Sequence, residues 1–151
     1  MINRILPKNN LNDYKGMNVA KWVFLVLTIV TIGRSLVHIL FPDGGAQLIA
    51  TIPLDTYSNA GSSAIISMFA LWGVSQVLLG IIFLLVFLRY KALIPLMYLI
   101  IAGEYTFRII VGIFKPIETV GSAPGVFGNF ILVPLALIMF ILSIWKKKET
   151  I

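Results

Sequence analysis

The chain has 151 residues, of which 59% are hydrophobic and 12% charged, with a net charge of +6; soluble domains average roughly 45–50% apolar and about 25% charged residues. Apolar stretches long enough to cross a bilayer recur along it, which excludes soluble enzyme folds. Cysteine is absent and His38 is the sole histidine, so disulfides, thiol redox chemistry and thiolate or imidazole metal centres are excluded, and neither a metal nor a cofactor is expected.

A helix needs about 20 mostly apolar residues to span the hydrocarbon core, and four segments qualify. The leading tail, 1–21, carries Arg4, Lys8, Lys15 and Lys21. The first span, about 22–41, contains Arg34 and His38. The length of the tail, and these two residues ahead of any small-residue cleavage pattern, argue against a signal peptide. Residues 42–63 make a long first loop that opens on a Pro-Asp-Gly-Gly turn. It continues through Leu48, Ile49, Ile52, Leu54 and Tyr57, so it is expected to fold over the bundle end as a lid or short interfacial helix. The second span, about 64–88, has no charge; Gln76 sits mid-span between Gly73 and Gly80, small residues that permit close helix approach. Arg89-Tyr90-Lys91 is so short a connection that the second and third helices should form an antiparallel hairpin. The third span, about 92–114, carries Glu104 and Arg108. Residues 115–125 form the third loop, whose turns Pro116 and the Pro124-Gly125 pair should fix. The fourth span, about 126–145, is uncharged and has Asn129 one turn in; a tail, 146–151, follows with Lys146, Lys147 and Lys148.

Positive residues gather on the cytoplasmic side of short loops. Both tails and the second connection fall on one side of a four-span chain and hold nine of the twelve basic residues. Both termini are therefore expected in the cytoplasm. The fold expected is an all-α integral membrane protein, a single transmembrane domain built as an antiparallel four-transmembrane-helix bundle. Topology accounts for the basic clusters, so nucleic acid is not expected as a partner. Trp22, Tyr90 and Trp145 near span ends fit an interfacial aromatic belt.

Ionisable residues inside a span are costly, about 2.5–3.5 kcal/mol each at the bilayer centre on insertion scales. Arg34 and His38 are four apart, as are Glu104 and Arg108, so each pair shares a helical face; Thr31 and Ser35 extend the first face. At about 1.5 Å per residue, Arg34 and Arg108 lie roughly 9–11 Å below the outer helix ends. His38 and Asn129 are shallower, and Gln76 and Glu104 nearer the midplane. Four helices running in alternate directions thus place their polar groups in the same outer half. The expected site is an outward polar pocket made by Arg34, His38, Gln76, Glu104, Arg108 and Asn129. Two guanidinium groups against one carboxylate leave it net positive, and Arg suits carboxylate and phosphate oxygens.

The stretch from Arg34 and His38 through Pro42-Asp-Gly-Gly-Ala46, with Ile52-Pro-Leu-Asp55, Leu71-Trp72-Gly73-Val-Ser-Gln76, Glu104 and Lys115-Pro116, resembles a family of small bacterial four-span proteins of unknown function. In general plan the chain is also similar to the DoxX-like membrane proteins, whose link to quinone and thiosulfate oxidation finds no redox motif here. The resemblance implies a multi-pass protein of the bacterial inner membrane and supplies no mechanism. Three functions compete. The first is binding of an anionic or amphipathic small molecule or lipid headgroup in the pocket. The second is an accessory or self-associating subunit, a homo-oligomer or the companion of a membrane partner protein, whose buried polar groups are structural. The third is a lipid-modifying enzyme or proton-coupled carrier that uses Glu104 or His38 as acid, base or relay. No nucleophile motif or inverted repeat supports the third, so the chain reads as a binding protein more than an enzyme.

Overall fold

A backbone out of reach of water must satisfy its N–H and C=O groups within its own segment, and the four apolar stretches do so as helices. The computed structural model describes residues 12–145. It contains α1 (Asn18–Leu40), α2 (Asn59–Arg89), α3 (Ile94–Phe114) and α4 (Pro124–Ile144), with no strand among the described residues. Each of the four is long and apolar enough to cross a membrane. Large apolar side chains point away from the protein along all of them, including Ile29, Met68, Phe107 and Phe130. The tail residues Arg4, Lys8, Lys146, Lys147 and Lys148 lie outside the described residues.

The helix ends correct several expected boundaries, because caps and prolines set them and hydropathy does not. Helix α2 starts at Asn59, not 64: Ser58 accepts a hydrogen bond from the Gly61 amide at 3.2 Å, capping a polar first turn. The first loop is correspondingly shorter, 41–58. Pro124 is the first residue of α4, not part of a turn, a position where its missing N–H costs nothing. Within α4, Pro134 leaves the Phe130 carbonyl without its helical donor. Only Tyr90 separates α2 from the short 3-10 turn Lys91–Leu93 that leads into α3.

Packing is uneven. Helix α1 lies mainly on α2 and α3 mainly on α4, whereas α2 and α3 pack sparsely despite their tight connection. The α1–α2 seam is close because of two glycines. A Cβ on Gly73 would stand 2.9 Å from both the Ser35 carbonyl oxygen and the His38 Cβ, and one on Gly80 would stand 2.6 Å from Ile32 Cγ1. The apolar core joins all four helices at one end, where Ala20 and Phe24 meet Phe83, Tyr98 and Ala136. Phe24 packs its ring 5.6 Å from Phe83 and 5.7 Å from Tyr98, and the Tyr98 hydroxyl donates to the Ala20 carbonyl at 2.5 Å. The chain ahead of α1 ties down the same end, with Met17 N–H donating to the Leu142 carbonyl at 3.1 Å. At the opposite end apolar packing thins: Ile113, Phe114, Phe127 and Ile131 are exposed.

The first loop covers part of that thinner end. Asp43 accepts from the Gly45, Gln47 and Leu48 amides at 2.9, 3.1 and 2.8 Å. Gly44 and Gly45 turn the chain with φ of +60° and +74°, where a side chain would be strained. Ala46, Ile52 and Leu54 then pack on Ile65, Ile66 and Phe69 of α2. As the sequence suggests, the loop folds back on the bundle, including a short 3-10 turn, Leu54–Thr56; Leu48, Ile49 and Tyr57 nevertheless stay exposed. Thr51 joins it to the third loop, accepting from the Val120 amide at 3.0 Å and donating to the Gly121 carbonyl at 2.9 Å.

Candidate functional site

The polar side chains meet between the two helix pairs, beneath the first loop. Position 34 faces α2 because the buried stripe of α1 runs Thr28, Thr31, Ser35, His38, and Arg34 flanks it. Thr28 and Ser35 donate to the carbonyls one turn before them, Phe24 and Thr31, at 2.8 and 2.5 Å. Their hydroxyls are thereby spent locally. Arg34 instead reaches across the seam, and its Nη2 donates to Gln76 Oε1 at 3.1 Å.

Gln76 is the hub. Buried on α2 between the two seam glycines, it also accepts from Arg108 Nη2 at 3.0 Å and donates through Nε2 to Glu104 Oε1 at 2.8 Å. Glu104 and Arg108 pair across one turn of α3, with Arg108 Nε donating to Glu104 Oε1 at 3.1 Å and Nη2 donating to the same oxygen. Three donors thus converge on Glu104 Oε1 and two on Gln76 Oε1. The acid and its arginine keep about a fifth of their side-chain surface, 21% and 17%.

Arg34 has no carboxylate of its own. The ion pairs among the described residues are Lys15–Asp13 and Arg108–Glu104. Moreover, Arg34 Nε is buried with no hydrogen-bond partner. The cluster holds two guanidinium groups and one carboxylate, and the bond to Gln76 spreads the surplus charge without cancelling it.

Sequence reasoning missed the aromatic floor. Trp72, one turn before Gln76, lies under both guanidinium groups, with its ring 5.4 Å from Arg34 Cζ and 4.6 Å from Arg108 Cζ. Buried Tyr105 lies 4.9 Å from Arg108 Cζ. Such rings attract cations through their negative faces, by about 0.5–2 kcal/mol each. The signal was present: Trp72 is a tryptophan inside a span, four residues from the mid-span amide, whereas Trp22 and Trp145 sit at helix ends.

His38 packs on the same indole, ring centroids 4.7 Å apart, with Phe69 at 5.6 Å. Its Nδ1 is 2.7 Å from the Gly44 carbonyl. A carbonyl can only accept, so Nδ1 carries the proton of that bond. Nε2 is buried and unpartnered.

Of the six residues expected to meet, Arg34, Gln76, Glu104 and Arg108 form one bonded network, and His38 adjoins it through Trp72. Asn129 does not join. It is half-buried on α4 and its side chain makes no hydrogen bond to the described residues, because the start of α4 lies where packing has thinned. A cavity of about 40 Å³ borders Glu104, lined also by Thr31, Tyr105, Phe83 and Leu132. That is room for at least one water molecule, which needs about 10–15 Å³ of such space. No cluster of three or more acidic or histidine ligands occurs among the described residues.

No protein-family model, curated protein or solved structure matches this chain. Its function has to be argued from the site.

Proposed function

We propose that the chain is a four-span membrane protein with alternating helix directions and cytoplasmic termini, and that its Arg34–Arg108 cluster binds the anionic group of a small molecule or lipid headgroup. One observation carries this reading: Arg34 is partly buried without a carboxylate of its own, its Nη2 on the neutral Gln76 amide, its guanidinium beside the Tyr105 hydroxyl and its Nε on nothing. An unpaired cation in a low-dielectric site is unfavourable by several kcal/mol, and an anion from outside removes that penalty. The remaining exposure of Glu104 and Arg108, and the thin apolar packing around them, support access from outside.

The first test is native mass spectrometry of mildly extracted protein, wild type beside Arg34→Ala. The expected result is an anionic adduct on the wild type and none on the variant, both remaining folded. A second reading draws on Gln76, whose bonds link three helices: the network locks the bundle of an accessory or self-associating subunit. A bare chain of fixed stoichiometry, with Arg34→Ala failing to fold, would favour that reading and refute the first.

A further inference from the structure

Among the described residues, Arg34 Nε and His38 Nε2 are the buried side-chain nitrogens without a partner. They stand one turn apart on the same helix and both groups rest on the Trp72 ring. Their hydrogen-bonding characters are opposite. Arg34 Nε can only donate. His38 donates through Nδ1 to Gly44, so in the neutral imidazole Nε2 can only accept.

From this we infer that the ligand is a singly charged phosphate oxyanion bearing a neighbouring hydroxyl, the oxyanion taken by Arg34 and Arg108 and the hydroxyl donating to His38 Nε2. The inference rests on the reading of the cluster as an anion site and adds the identity of the anion's neighbour. Charge selects a monoanion, since two arginines and one glutamate leave one positive charge with His38 neutral. Arg34 Nη2 and Arg108 Nη2 already converge on one oxygen, Gln76 Oε1, from two helices, and guanidinium groups take phosphate oxygens readily. Depth points to the source. Arg34 lies six residues before the end of α1 and His38 two, about 9 and 3 Å down at 1.5 Å per residue. By that count His38 lies near the level where the polar interfacial layer meets the hydrocarbon, and Arg34 about one turn deeper. Phosphodiester lipids with hydroxylated headgroups carry this single charge, soluble phosphomonoesters of polyols carry it only below their second pKa of about 6, and charge and depth together favour the lipid.

The test uses the full chain in vesicles of phosphatidylcholine doped in turn with phosphatidylglycerol, which has anion and hydroxyls, or phosphatidylmethanol, which has the anion alone. A third arm adds glycerol phosphate to undoped vesicles. Lipid retained after mild extraction is read by native mass spectrometry. The expected result is phosphatidylglycerol retained about tenfold over phosphatidylmethanol, the value of one hydrogen bond made in a site that otherwise leaves its partner unpaired. His38→Phe should erase that difference while keeping both anions above phosphatidylcholine. Equal retention of the two anionic lipids by the wild type overturns the hydroxyl inference and leaves the anion site standing. Retention of glycerol phosphate without any lipid preference supports the chemistry and overturns the lipid source. Failure to retain any anion overturns this inference and the anion site together. The decisive comparison uses the wild type, so it does not depend on a variant folding.

Discussion

Replacing Gln76 by glutamate would supply inside the protein the counter-charge that Arg34 lacks. The amide oxygen now stands 3.1 and 3.0 Å from the Arg34 and Arg108 Nη2 atoms, so a carboxylate of the same shape would accept both bonds and bring the cluster to neutrality. An external monoanion would then lose one charge-assisted interaction, about 1.5–3 kcal/mol, and its retention should fall roughly 10- to 100-fold. The exchange has a cost on the other side, because the Gln76 Nε2 donor to Glu104 Oε1, 2.8 Å away, becomes an oxygen facing an oxygen. Two carboxylates at that distance repel, and on acidification one takes up a proton. At that point the surplus positive charge returns. Anion retention by Gln76→Glu is therefore expected to be poor at pH 8 and to recover as the pH is lowered, the reverse of simple acid damage. Gln76→Leu is the control: it breaks three interhelical bonds and should lower resistance to unfolding by about 2–4 kcal/mol, but it leaves the surplus charge and hence the anion preference. The assay is lipid retention beside equilibrium unfolding in mixed micelles. Undiminished anion retention by Gln76→Glu at pH 8 would refute the claim that uncompensated charge on Arg34 recruits the ligand.

Gly73→Ala should destabilise the chain by about 1–3 kcal/mol, since its Cβ meets the Ser35 backbone carbonyl. Gly80→Ala should cost less, because the obstacle is the Ile32 side chain; unfolding midpoints decide, and the opposite order would count against the seam. Gly16→Ala would drive a Cβ into the Ser143 carbonyl oxygen, so faster amide exchange at Met17, whose N–H bonds Leu142, is expected, with the far end of the bundle unaffected. Asp43 titrates below the usual carboxylate range: burial raises its pKa, but the amides of Leu48, Gly45 and Gln47 outweigh that and lower it. Its folded pKa being depressed, the loop gains stability that is fully present above the unfolded value of about 3.9 and is lost as pH falls through the folded one. Exchange at those three amides should accelerate only below about pH 4, and Asp43→Asn should show the fast rates already at pH 7.

Helix number and approximate position were legible because a spanning segment must be both long and apolar, a condition hydropathy reads directly. The ends were not. Ser58 and Pro124 set them through a single hydrogen bond and a missing one, and neither changes the average polarity of a window. In the site, Arg34 with His38 and Glu104 with Arg108 could be paired from spacing alone, since a helix fixes which residues share a face. That Gln76 would bridge them depended on helix rotation, and here the seam glycines held a clue: Gly73 and Gly80 mark the face of α2 that touches α1, and Gln76 lies between them on that face. Asn129 misled because depth in the membrane says nothing about lateral packing. Counting residues puts it near the level of its expected partners, but the first turns of its helix are largely exposed.

The division of labour between the two ends explains why a charged cluster is tolerated at all. At the Phe24–Phe83–Tyr98 end all four helices share one apolar core. In a membrane such packing contributes through close contact, with no expulsion of water to drive it. Toward the first loop the core gives out, and the bonds from Gln76 on one pair to Glu104 and Arg108 on the other cross the gap. A network placed there can trade partners more readily than one inside the packed half. An anion drawn to Arg34 can take a share of its donors while the α1–α2 seam and the apolar end hold the helices in register. The same reasoning locates the sensitivity of the protein: substitutions at Phe24 or Tyr98 should act on folding, and charge-changing substitutions at Arg34 or Gln76 chiefly on what the folded protein holds.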